Sequence, residues 1–136
     1  LRSTLVPHPA LSRSTVASGL AFGPLTTAPP VAARKAAIHS DAVSLREVLE
    51  GKVEVIELVP PAGQTDLTPG QATRAGYLPL ADFIDEVMVL FQQRPTPREI
   101  MVQRVAFQRN AEAEHRVDAA VATLNEAARE ARAAQR

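Results

Sequence analysis

VEVIELV, residues 53–59, is a short run of aliphatic and β-branched side chains that ends at the cluster Pro60-Pro61-Ala62-Gly63. A run of that length between turn formers suits a strand better than a helix, and its apolar character suits a strand covered on both faces of a parallel sheet. Upstream, residues 31–49 place Ala33, Ala36, Ala37, Val43, Val48 and Leu49 at helical spacing, and Gly51 is a natural stop. Further back, residues 14–18 form a β-prone run ending in Ser18-Gly19, a strand followed by a turn. Gly23, Pro24, Pro29 and Pro30 are expected to keep the intervening segment irregular. Strand, helix and strand in this order make a βαβ unit over residues 14–59, the signature of the α/β class.

Downstream, residues 60–79 hold proline, threonine and glycine at turn spacing and read as a long loop, of the kind that is more often functional than idle. Residues 80–93 then carry Leu80, Phe83, Ile84, Val87, Met88 and Phe91 on one stripe with Asp82, Asp85 and Glu86 opposite, an amphipathic helix whose apolar face is core. At Thr96-Pro97-Arg98-Glu99 two readings stand. The residues fit a capping box that opens a helix, whereas Ile100-Met101-Val102 suggests a short strand over residues 98–103. Residues 111–134 are alanine-rich with mixed charge and fit a terminal helix with Val117, Val121 and Leu124 as its apolar stripe. With an irregular lead-in over residues 1–13, the 136 residues make one domain.

Composition narrows the partners. Fifteen basic against fifteen acidic residues argue against nucleic acid and against an anionic membrane surface. No cysteine is present, so disulfides and thiolate chemistry are excluded and a cytoplasmic location is the default expectation. No apolar run approaches the roughly 20 residues of a membrane span, and prolines break up the first residues too often for a signal peptide. A start at Leu1 suggests processing or an incomplete chain. His8, His39 and His115 are scattered, so no metal site is expected, and Glu112, Glu114 and Asp118 read as a solvated helix face.

Three stretches carry a resemblance: STVASGLAFGPLTTAPPVAARKAAIHS (residues 15–40 with the preceding Ser14), SLREVLEGKVEVIELVPPAGQTDLTPG (residues 44–70) and LPLADFIDEVMVLFQQRPTPREIMVQR (residues 78–104). Together they resemble the carboxyl-terminal half of a short-chain dehydrogenase/reductase of the DltE-like oxidoreductase subgroup. The resemblance implies the later half of a Rossmann-like doubly wound sheet, about three parallel strands with flanking helices, and prefers the strand at residues 98–103. It implies NAD or NADP as cofactor and an alcohol or carbonyl as a small-molecule substrate that the sequence does not identify. It also implies a possible homodimer through the helix at residues 31–49.

In this family a strand-end serine is followed thirteen residues on by a tyrosine and four residues later by a lysine. Here those positions are Ser18, Val31 and Lys35. Hydride transfer to a carbonyl needs a proton for the developing alkoxide, and a phenol supplies it only when a nearby cation tunes it. Ser18 and Lys35 are therefore the implied catalytic residues, while valine at 31 has no proton to give. The implied cofactor contacts are Lys35, Pro60 and Thr65. In the loop Pro60-Pro61-Ala62-Gly63-Gln64-Thr65, the family's glycine position is Pro61 and its apolar position is Gly63.

Tyr77, the one tyrosine, lies in the long loop with nothing to pair it with Lys35. No GxxxGxG turn for a pyrophosphate occurs among the six glycines. The expectation is a truncated pseudoenzyme, derived from an NAD(P)-dependent oxidoreductase and inactive alone. A dimerisation or binding module, or a fragment without selected function, are the alternatives.

Overall fold

The computed structural model describes residues 12–133, so most of the expected lead-in, His8 within it, and the last residue of the expected terminal helix lie outside the described residues. The described chain is α/β. Strands β1 (Ser12–Val16), β2 (Glu54–Val59) and β3 (Glu99–Met101) form a parallel sheet in that order. Helices α1 (Pro29–Val48), α2 (Leu80–Gln92), α3 (Gln103–Arg109) and α4 (Val117–Ala133) flank it. The arrangement is that of part of a Rossmann-like sheet.

Several boundaries depart from the sequence reading, each for a local reason. β1 ends at Val16 rather than at Ser18, because Ser18 leaves the ladder to cap a 3-10 turn over Gly19–Ala21. Its Oγ accepts from the Leu20 amide at 3.2 Å, the kind of local bond by which serine competes with regular structure. α1 starts two residues before position 31. Pro29 and Pro30, expected to hold the chain irregular, instead open the helix, since a missing N–H costs nothing in the first turn and the ring presets φ. At residues 96–103 the strand prevails over the capping box. Ile100 pairs in register with Leu58 and is fully buried, which a solvated helix start would forgo.

The expected strand is shorter than residues 98–103, and α3 follows it. Glu86 Oε1 accepts from the Gln103 amide at 2.5 Å and so satisfies one of the first donors of that helix. α4 begins at Val117 rather than at 111 because the chain turns first. His115 takes φ 54°, a left-handed conformation that no helix continues through.

Strand register sets the energetics of the sheet. Thr15, Glu57 and Glu99 are aligned across the three strands, and side chains alternate along a strand, so two carboxylates share one face. Glu57 is 0% exposed. α1 covers this face and supplies the compensation: His39 Nδ1 lies 3.0 Å from both Glu57 oxygens and Arg46 Nη2 lies 3.4 Å from one. Arg46 also donates to the carbonyls of Val55 at 3.3 Å and Arg98 at 2.8 Å, which fixes its fork across β2 and the start of β3.

Glu99 is held by both prongs of Arg109, at 2.7 and 2.9 Å. Phe22 packs between the two halves of this network, edge-on to His39 at 4.8 Å and beneath the Arg109 guanidinium at 4.9 Å. Among the described residues, Thr15 Oγ1 is buried without a hydrogen-bond partner. Ile56 and Ile100, which alternate to the other face, join Val87 of α2 in an apolar cluster that continues into Val102 and Val105, with Phe83, Leu90 and Phe91 packed against it.

A fully buried carboxylate whose partners remain after its removal is costly to delete. Glu57→Ala leaves Arg46 and His39 facing a void and is expected to lower unfolding stability in urea by about 3–5 kcal/mol; a loss under about 1 kcal/mol would show that the network does not carry the sheet.

The second pair makes a pH prediction. The Arg109 bonds hold Glu99 below its ordinary value of 4.5 against the opposing effect of burial, and Glu99 raises Arg109 in turn. A depressed carboxylate stabilises the fold above its unfolded pKa and loses that contribution as pH falls through the folded one. The melting temperature of the native chain is therefore expected to fall below pH 4.5, with a shallower fall in Glu99→Gln. Identical acid limbs would contradict this.

Candidate functional site

Parallel strands leave their carboxyl ends together, and here the ends of β1 and β2 open onto a cavity of about 760 Å³. One wall is the turn after β1, with Ser18, Gly19 and Leu20; a second is residues 60–63 after β2, continued by parts of the loop up to Tyr77. The third comes from α3 and α4, through Phe107, Gln108 and Leu124. Open α/β sheets bind ligands at this end of the strands.

Backbone bonds set the two loops against each other. The Gly19 amide donates to the Pro60 carbonyl at 3.0 Å, extending the β1–β2 pairing past the strands. A Cβ at Gly19 would sit 2.8 Å from Gln108 Oε1, so a side chain there would turn the Gln108 amide aside. α4 is pinned by Asn125, which is buried. Its Oδ1 accepts from the Thr26 amide at 2.7 Å and the Thr26 hydroxyl at 2.8 Å, while its Nδ2 donates to the carbonyls of Pro24 and Val121.

The long loop is structured by its own contacts. Leu78 N donates to Ala62 O at 3.0 Å and Gln64 N to Leu78 O at 2.8 Å, closing its two ends. Inside it Gln71 Nε2 donates to Gly63 O at 2.9 Å and to Thr65 Oγ1 at 2.8 Å. Arg74 Nη1 donates to the Tyr77 hydroxyl at 3.1 Å, and its guanidinium carbon lies 5.1 Å over the Tyr77 ring.

The residues singled out from the sequence fall into two groups. Ser18 and Pro60 line the cavity. The Ser18 oxygen is used as an acceptor by Leu20, which leaves its O–H to donate to a ligand oxygen. Lys35, Val31 and Thr65 are not among the cavity-lining residues described. Lys35 Nζ donates to the Val16 carbonyl at 3.1 Å, so α1 delivers its ammonium to the end of β1, two residues before Ser18. Val31 lies one helical turn before Lys35 on α1, 37% exposed. Tyr77 shares the cavity with Ser18, but its cationic neighbour is Arg74 rather than Lys35.

The ionic network beneath this site was not read from the sequence, although a glutamate at the centre of an apolar strand was its visible signal. His39, Glu57 and Glu99 offer ligand atoms within 4.8 Å of one another, a spacing that a metal ion tolerates. Their chemistry opposes one. Two carboxylates are already matched by two guanidiniums, Arg46 and Arg109, and the His39 Nδ1 is turned onto Glu57. A divalent ion would add two uncompensated charges to a closed balance at a fully buried glutamate.

Comparison with protein-family models finds no match, and no solved structure matches the chain. The chain is 41% identical over 73 residues to the uncharacterized oxidoreductase DltE of Bacillus subtilis (strain 168). The aligned stretch is 53% of this chain and 29% of that protein, so the match spans under a third of its relative's length.

Proposed function

We propose that this chain is the carboxyl-terminal portion of a short-chain dehydrogenase/reductase unit, a lineage that interconverts an alcohol and a carbonyl with NAD or NADP. The observation that carries the reading is Lys35 Nζ on the Val16 carbonyl at the end of β1, with the Ser18 hydroxyl two residues on in a cavity at the strands' carboxyl ends. The 41% identity to an oxidoreductase supports it.

In this reading Ser18 holds the substrate oxygen and Lys35 supplies positive charge near the position now occupied by Val31. These residues offer room for the reacting end of a dinucleotide but not for its phosphates. No GxxxGxG turn, the kind that presents a row of N–H groups to a pyrophosphate, occurs in the 136 residues. The phosphates would be held by residues outside this chain, and Val31 leaves the proton-delivery position empty of any acid. The chain alone is therefore inactive, and no catalytic step is assigned to it.

A second reading rests on the outward face of α1. Ala33, Ala36, Ala37, Ser40 and Ser44 fall on one exposed stripe of small side chains, opposite the buried Ala32 and Ala42. Two such helices can approach closely, so homodimerisation through α1 would persist without catalysis. Light scattering on the purified chain is expected to give a dimer that Ala37→Glu converts to a monomer; a native monomer would remove this reading.

For the catalytic lineage, the purified chain is expected to bind neither NADH nor NADPH more tightly than about 1 μM by calorimetry, and Val31→Tyr alone is expected to reduce no carbonyl. Val31→Tyr combined with the remaining segment of the Bacillus subtilis relative is expected to reduce a carbonyl about 10²–10⁴ times faster than the same mixture with valine, the usual worth of a placed general acid. Measurable reduction by the variant chain alone, or no gain in the mixture, would overturn this account.

A further inference from the structure

The cavity is chemically uneven in a way that the oxidoreductase reading does not require. Every charged side chain lining it is an arginine: Arg74 from the long loop, Arg104 from α3 and Arg132 from α4. No aspartate or glutamate lines it among the described residues. In a chain with fifteen cationic and fifteen acidic residues, this gathers positive charge at one place. Most of the remaining wall is apolar, with Leu25 and Phe107 joined by Leu124, Ala127 and Ala131 of α4.

Arg104 spends one N–H on the Gly76 carbonyl, at 2.6 Å, and a guanidinium has five. Its planar fork matches the two oxygens of a carboxylate. A cavity of about 760 Å³ lies within the range of small-molecule sites, which are mainly apolar with a few polar groups that fix orientation.

We propose that this cavity binds an amphipathic aliphatic carboxylate, its chain along the apolar wall of α4 and its carboxylate on Arg104 and Arg132. The assignment names the substrate class of the site proposed above and rests on that cavity being the substrate site. Its test needs neither cofactor nor Tyr at position 31, so a failed redox assay leaves it readable.

The measurement is calorimetric titration of the purified chain with decanoate, decanol, inorganic phosphate and NADPH, below the concentration at which decanoate forms micelles. Decanoate is expected to bind at least tenfold more tightly than decanol and to weaken as salt is raised. Arg104→Met and Arg132→Met keep an apolar stem but remove the charge, and each is expected to weaken decanoate severalfold while leaving decanol unchanged. Should Arg104→Met fail to fold, Arg132→Met and the decanoate–decanol ratio in the native chain still decide. Equal binding of decanol would reduce the site to an apolar cleft. Binding of phosphate or NADPH without decanoate would assign the arginines to the cofactor, and no binding by any probe would remove the site; each of these results overturns the proposal.

Discussion

A fully buried glutamate at the centre of the middle strand constrains almost everything around it. Glu57 stands beside Glu99 in register, so the sheet face toward α1 carries two adjacent negative charges. Like charges opposite one another in a sheet repel, and burial removes the water that would otherwise screen them. The fold answers with Arg46 and His39 from α1 and with Arg109 from the end of α3. Those partners clamp one long helix and one short one to the sheet. Such networks contribute less to net stability than an apolar core of the same volume, but they tolerate few alternative packings.

That placement of α1 matters to the site. The helix that presents His39 and Arg46 to Glu57 also presents Lys35 to the carbonyl at the end of β1. Phe22, wedged between His39 and Arg109, follows directly after the turn capped by Ser18. The ionic layer and the cavity are therefore joined through one short segment, residues 18–22. On the far side, Asn125 binds the loop after that turn to α4, so the apolar wall of the cavity is attached to the same segment.

Parts of this were legible in the residues. The β2 run and the helical spacing of α1 and α2 are short-range patterns written directly in the chain, but the buried face was not: Leu80, Ile84 and Met88 of the expected core stripe are exposed, while Val87 is buried and Phe83 and Phe91 pack against the core. Ser18 and Lys35 were recognisable as a spaced pair. What was not legible turned on competition between local rules. Pro29 and Pro30 read as breakers, yet prolines in a first turn begin a helix as readily as they end one. Ser18 read as a strand end, yet its hydroxyl found a nearer amide to cap. α3 was hidden because its first donor is satisfied by Glu86, seventeen residues away.

The chain's own sequence determined the α/β class, the parallel order implied by a βαβ unit, the lack of a proton donor at position 31 and the lack of a glycine-rich phosphate turn. These depend on residue identity and on neighbours within a few turns. Only the tertiary structure decided that Glu57 meets both Arg46 and His39, that Tyr77 faces Arg74 rather than Lys35, and that the three charged side chains lining the cavity are all arginine. Thr26 and Asn125 are 99 residues apart, and Arg46 and the Arg98 carbonyl 52. Contacts of that span form only after the sheet has set the register, and no periodicity in the sequence encodes which distant charge will come to lie beside which.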